Sequence, residues 1–168
     1  IDRRSGVSQR MPISVLESVV SNAERRALRH GATEIVPRIS DLYAALPAIT
    51  GKIELEYEGE LVGAANIARE LIRRAADGVF RDRAGGVNVD DIILWFEDGA
   101  ALQVTDDVEA SILARAFEVV PGLVAMVHRV GLAMPADDAT TSAACELVLE
   151  ALVARRKVSR SDSGQYGR

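Results

Sequence analysis

Apolar residues recur at Leu16, Val19, Val20, Ala23 and Ala27, the i, i+3, i+4, i+7, i+11 rhythm of one helix face. Gly31 ends this run, with Arg29 and His30 in the last turn, where cations suit the helix dipole. Ser14 and Glu17 have the Ser-x-x-Glu spacing of a capping box. The regular helix is therefore expected from Ser14, with residues 8–13 as a lead-in turn and Ser8 as the alternative cap. Pro12 fits before the helix or in its first turn better than inside it. Ser40 predicts the cap of a short helix from Asp41 to Leu46, with an acid in its first turn. Over 49–58, Ile53, Leu55 and Tyr57 alternate with Glu54, Glu56 and Glu58, a period of two. A lone strand finds no evident partner here, so strand, helix and extended linker all stay open.

The strongest periodicity runs from Glu60 to Arg83. Leu61, Ala64, Ala68, Leu71, Ile72, Ala75 and Val79 share one face, and Glu70 with Arg74 and Asp77 with Arg81 form i,i+4 pairs on the other. The basic run Arg69, Arg73, Arg74 reads as a solvated face. Val89 to Glu97 predicts a short helix that buries Ile92, Ile93, Trp95 and Phe96, followed by an Asp98-Gly99 turn. Further helices are expected from Thr105 to Val120, from Pro121 to Val130 and from Thr141 to Arg156. The acidic pairs at 90/91, 106/107 and 137/138 each stand at one of these helix starts, where cap and dipole placement accounts for them without a metal. The tail from Ser159 to Arg168 has no apolar period and is expected to be disordered. The fold class is therefore all-α, with a boundary between 50 and 60 separating two helical parts.

Composition narrows the function. At 168 residues and 48% hydrophobic residues the chain can bury a core. The net charge of −5 argues against a uniformly basic face for nucleic acid, so no nucleic-acid partner is expected, and arginine clusters alone motivate that class. No apolar run reaches the length of a membrane span. The single cysteine, Cys145, lies among Ala143, Ala144, Leu147 and Val148 and reads as a small buried residue. The two histidines, His30 and His128, have no His-x-x-His or Glu-x-x-His companion, so zinc spacing is absent and both read as structural or surface residues. Gly6-Val-Ser8 continues into Gln9 and Arg10 rather than a nucleophile elbow. Independent catalysis, and a metal held by this chain, are not expected.

One segment carries a specific resemblance. Asp2-Arg-Arg-Ser-Gly-Val-Ser-Gln-Arg-Met-Pro-Ile-Ser14 places Arg10 after a Gly-x-Ser-x turn and at the opening of the first amphipathic helix. It resembles the sensor-2 arginine at the start of the helical lid of AAA+ ATPases. Ser21 to Gly31, and then Val36-Pro-Arg-Ile-Ser-Asp-Leu-Tyr to Gly59, resemble the lid of the magnesium-chelatase ATPase subunit and its bacterial relatives. The resemblance covers residues 1–59 at the level of motifs and 60–157 at the level of layout. It implies a lid-like subdomain over 1–58, a C-terminal helical bundle over 59–157 and a disordered tail over 158–168.

The resemblance also implies chemistry. Arg10 would meet the ATP γ-phosphate, where an always-charged planar fork of donors matches the charge that develops in phosphoryl transfer. The segment from Arg10 to Gly31 is about one turn, roughly 5.4 Å, longer than in the lids it resembles, which makes Arg3 and Arg4 secondary candidates. Arg25 and Arg26 have the option of a neighbouring subunit, with pairing to Glu24 or Glu17 the plainer reading. A Walker A loop is missing: the nearest approach, Gly51-Lys52, has Ile53 where a hydroxyl must bind magnesium and Leu46 where the first glycine belongs. No Walker B strand is visible either. The chain, which begins at Ile1 inside a motif, is thus expected to be the C-terminal part of a longer cytoplasmic ATPase. ATP and Mg would be held by the parent and not by this part alone. The implied partners are its own nucleotide-binding subdomain, neighbouring subunits of a ring and a protein with a von Willebrand A domain. The alternative from another class is a free-standing helical protein-interaction module without a nucleotide role.

Overall fold

In the computed structural model, residues 6–54 and 62–168 are described. They are mostly helical. A short strand β1 (Gly6–Val7) leads into α1 (Met11–His30), α2 (Ile39–Ala44), α3 (Leu46–Thr50) and β2 (Ile53–Glu54). Then follow α4 (Ala64–Ala84), α5 (Asp90–Glu97), β3 (Leu102–Gln103), α6 (Ala110–Glu118), α7 (Leu123–Arg129) and α8 (Asp138–Ala154). Two short strands close the chain, β4 (Ser159–Arg160) and β5 (Gln165–Gly167).

Helix α1 starts three residues earlier than the Ser14–Glu17 spacing implied. Arg10 is its N-cap, Pro12 falls in the first turn, and the Met11 amide donates to the Ser8 carbonyl at 2.9 Å. Proline's fixed φ suits a first helical turn, and the Ser14 amide already donates to the Arg10 carbonyl at 3.1 Å, so Ser14 lies inside the helix. The helix ends at Gly31, whose left-handed φ of 64° lets the Gly31 and Ala32 amides return to Leu28 and Ala27. The buried face is Val19, Asn22, Ala23 and Ala27, while Leu16 is 63% exposed. The packed stripe is rotated from the apolar one because α2 takes up Asn22 and Arg26 through hydrogen bonds.

Two expectations about strands and caps are corrected. Ile53–Glu54 does have a partner: it pairs antiparallel with β1, Val7 opposite Ile53 and Gly6 opposite Glu54. The alternation at 55–58 and the boundary at 58/59 lie outside the described residues. Arg38, not Ser40, is the N-cap of α2, and Asp41 at the third helical position accepts the Arg38 amide at 2.8 Å.

Helix α4 buries Ala68, Ile72, Ala76, Phe80 and Ala84, one residue every fourth position. Val79 is exposed, so the face turns slightly from the expected one. Glu70 and Arg74 pair at 2.8 Å, but Asp77 pairs with Arg155 at 2.6 Å rather than with Arg81. The helix expected from Thr105 begins only at Ala110. Arg38 donates to the carbonyls of Thr105 and Asp106 at 3.1 and 3.2 Å, and His30 meets the Asp107 carbonyl at 2.7 Å. Those carbonyls are thereby held in a turn. Asp137 does cap α8, accepting from the Thr140 amide at 2.7 Å.

The core centres on α8, which is buried on nearly every side from Thr141 to Val153. Phe80, Phe96, Leu113, Phe117, Leu123 and Val127 pack around its Val148, Leu149 and Leu152. A smaller cluster of Ile49, Ile53, Ala68 and Ile72 joins α3 and β2 to α4. The tail is ordered, against expectation. β5 lies between β3 and β4, Leu102 opposite Tyr166 and Arg160 opposite Tyr166 from the other side. Tyr166, 1% exposed, and the buried Val158 anchor a segment whose polar composition hides them. Gly164 has φ 84°, and a Cβ there would stand 2.0 Å from the Val104 carbonyl oxygen, so only glycine lets β5 approach β3.

Candidate functional site

The first candidate is the N-terminal end of α1. Arg10 is exposed there, with backbone at φ −85°, ψ −7°, and its amide lies 3.3 Å from Ser8 Oγ. The first turn of α1 holds no acid. Among the described residues, no hydrogen bond or ion pair involves the Arg10 guanidinium. The paired strands β1 and β2 bring Lys52 alongside, with the Ser8 amide donating to the Lys52 carbonyl at 3.0 Å. A cleft of about 390 Å³ lies here, lined by Gly6, Val7, Ser8, Lys52 and Glu54. A cation at the positive end of a long helix is disfavoured by about 0.3–1 kcal/mol unless an anion joins it. Arg3 and Arg4 lie outside the described residues.

The second feature was not foreseen: a network of buried charges between α1, α2, α4, α8 and the tail. Asp41, 0% exposed, accepts from Asn22 Nδ2 at 2.6 Å, from the Arg38 amide and from Arg26, whose other nitrogen donates to the Val36 carbonyl at 2.9 Å. Arg26 is therefore an internal tie to Asp41 rather than a partner of Glu24 or Glu17. Arg25 donates to Asn22 Oδ1. Glu146 and Glu150, one turn apart on α8, are 1% and 0% exposed. Glu146 accepts the Ser40 amide at 2.9 Å and faces Arg38 Nε at 3.3 Å. Glu150 accepts from Tyr43 Oη at 2.5 Å and Tyr166 Oη at 3.0 Å, with Arg73 and Arg160 at 3.7 and 3.8 Å. Arg69 and Arg73, expected on a solvated face, thus turn toward acids, Arg69 toward Asp162 at 3.1 Å.

Burial sets the electrostatics. It pushes the Glu146 carboxyl above the usual carboxylate range, against the pull of Arg38 and the Ser40 amide. It lowers Arg38, against Glu146. It raises the Tyr43 and Tyr166 phenols, reinforced by the Glu150 charge, so both stay donors. Burial likewise pushes the Cys145 thiol up to about 12, far from a reactive thiolate. His128 Nε2 bonds Thr141 Oγ1 at 2.8 Å and His30 bonds a backbone carbonyl, both structural ties.

A signal for the network does exist in the sequence. The stretch 143–153 is apolar all round apart from two glutamates, and a helix apolar all round is buried. Acids at 146 and 150 then go inside with it and require cations from other elements. A second cleft, of about 460 Å³, lies at the far end of α1 between His30, Arg38, Glu109 and Asp137. Its lining mixes both signs of charge and selects no ligand. Among the described residues, no group of three His, Cys, Asp or Glu side chains is arranged to hold a metal, and no single helix is long and apolar enough to cross a membrane. Comparison with protein families, with curated proteins and with solved structures finds no match.

Proposed function

We propose that this chain is the lid and helical C-terminal extension of a AAA+ ATPase of the magnesium-chelatase type, in which Arg10 meets the γ-phosphate of ATP. The observation that supports this most is the placement of Arg10. It stands exposed at the positive end of a 20-residue helix, with no acid in the first turn. An exposed arginine at a helix N-terminus suits an anionic ligand. The order of elements agrees with the motif resemblance, from the turn before α1 through its glycine stop to the Pro-Arg-Ile-Ser start of α2.

Arg10 fits only the outer end of a nucleotide. The hydroxyl and acid that would hold Mg²⁺ beside the phosphates are not in this sequence, so the parent's nucleotide-binding subdomain supplies them and this chain alone turns over no ATP. In the parent, which we place in the cytoplasm, Arg10 adds charge stabilisation and links hydrolysis to lid rotation within a ring, with a von Willebrand A-domain protein as the outside partner. The coding frame is the first test. Walker A and B motifs encoded directly upstream of Ile1 support the reading, and a start codon adjacent to Ile1 overturns it. The second reading, a free-standing interaction module, draws on the exposed Ile13, Leu16 and Leu28 of α1. The ATPase reading assigns that face to contact with the nucleotide-binding subdomain.

A further inference from the structure

The tail hairpin and α2 meet at one carboxylate. Glu150 takes one hydrogen bond from Tyr43 of α2 and one from Tyr166 of β5. Arg160 of β4 lies with its guanidinium carbon 3.7 Å above the Tyr43 ring and its Nε 3.8 Å from Glu150. Tyr43 is thus gripped twice, at its hydroxyl by Glu150 and over its ring by Arg160. Arg73 of α4 is the fourth neighbour of the same carboxylate.

We propose that residues 158–168 form a strap that sets the position of α2 on α8 through Glu150. The physical reason is the shared acceptor. A fully buried carboxylate needs its donors and cations, and the tail supplies two of the four. When the strap lifts, Glu150 is opened to water and Tyr43 loses the cation over its ring. On the α8 side, α2 then keeps its ties to Glu146 through Ser40 and Arg38, while the Tyr43 bond to Glu150 is left open to water. β4 and β5 are two and three residues long, their exposed connection carries Ser161, Asp162 and Ser163, and the buried Val158 and Tyr166 hold the strap down. This coupling belongs to the chain itself and stands independently of the nucleotide reading.

The test is hydrogen exchange on the 168-residue chain, resolved by segment, in three variants: Tyr166→Phe, Arg160→Lys and truncation after Lys157. The strap predicts that Tyr166→Phe speeds amide exchange in α2 on the order of tenfold, with α6 unchanged. Arg160→Lys keeps the charge near Glu150 and loses the planar stack, so it gives a smaller rise in the same segment. Truncation gives the largest rise. Faster exchange confined to residues 158–168 overturns the proposal, and so does an equal rise in α2 and α6, which marks general destabilisation. If the truncated chain does not fold, the two point variants decide by the same comparison.

Discussion

Glu146 is a fully buried acid on α8. Its carboxyl titrates above the ordinary range because burial outweighs the pull of Arg38 and the Ser40 amide. A carboxyl raised in the folded state contributes stability that is fully present below its unfolded value and is lost as pH rises through its folded value. The wild type is therefore expected to gain stability relative to Glu146→Gln as pH falls from about 8 toward 5. Urea unfolding of both proteins across that range checks this, and a relative loss on acidification would show that Arg38 dominates instead. Asp41 makes a separate case. It is buried with Asn22, Arg26 and the Arg38 amide on it, so Asp41→Ala strands a buried cation and is expected to cost about 3–5 kcal/mol. A loss below about 1 kcal/mol in chemical denaturation would show that water replaces the carboxylate without strain. The start of α1 around Arg10 was partly legible because its signals, Pro12 and the turn at Ser8, are local. The partners of Asp41, Glu146 and Glu150 were not, because they arrive from segments up to 108 residues away, as Arg38 does to Glu146.

Elements were readable in proportion to how much of their stability is local. α1 and α4 carry a clear period of 3.6, α5 and α8 are apolar runs bounded by turn and cap signals, and all four are present within a few residues of expectation. Segments decided by tertiary contacts were misread. Residues 105–109 have acids fit for a helix start, but Arg38 and His30 take their carbonyls. Residues 159–168 look polar, yet Tyr166 fills the gap over Glu150 and the backbone completes a sheet with β3. β1 is two residues long, too short for any period to declare, so the alternation that includes Ile53 and Glu54 had no visible partner. α8 is the element on which the rest depends. Leu149→Ala, at a fully buried position, is expected to lower stability by about 2–5 kcal/mol in thermal or urea unfolding. Leu94→Ala, at a half-exposed position on α5, is expected to stay within about 0.5 kcal/mol.

At the scale of the whole molecule, the N-terminal and C-terminal helices meet through ions as well as apolar surface. Arg38 reaches Glu146, Tyr43 reaches Glu150, and α3 packs on α4. Without a nucleotide-binding subdomain the purified chain is expected to be monomeric or weakly dimeric in light scattering, and a stable hexamer would place assembly in these helices themselves. The most direct measurement is ATP turnover by the full-length parent carrying Arg10→Ala, with Arg3→Ala and Arg25→Ala beside it. The expected result is a fall of about one to three orders of magnitude for Arg10→Ala, with a smaller change in ATP affinity, because the other phosphates are held elsewhere. Turnover left intact by Arg10→Ala but abolished by Arg3→Ala would move the sensor to Arg3, and turnover left intact by all three would contradict a γ-phosphate role for this helix end.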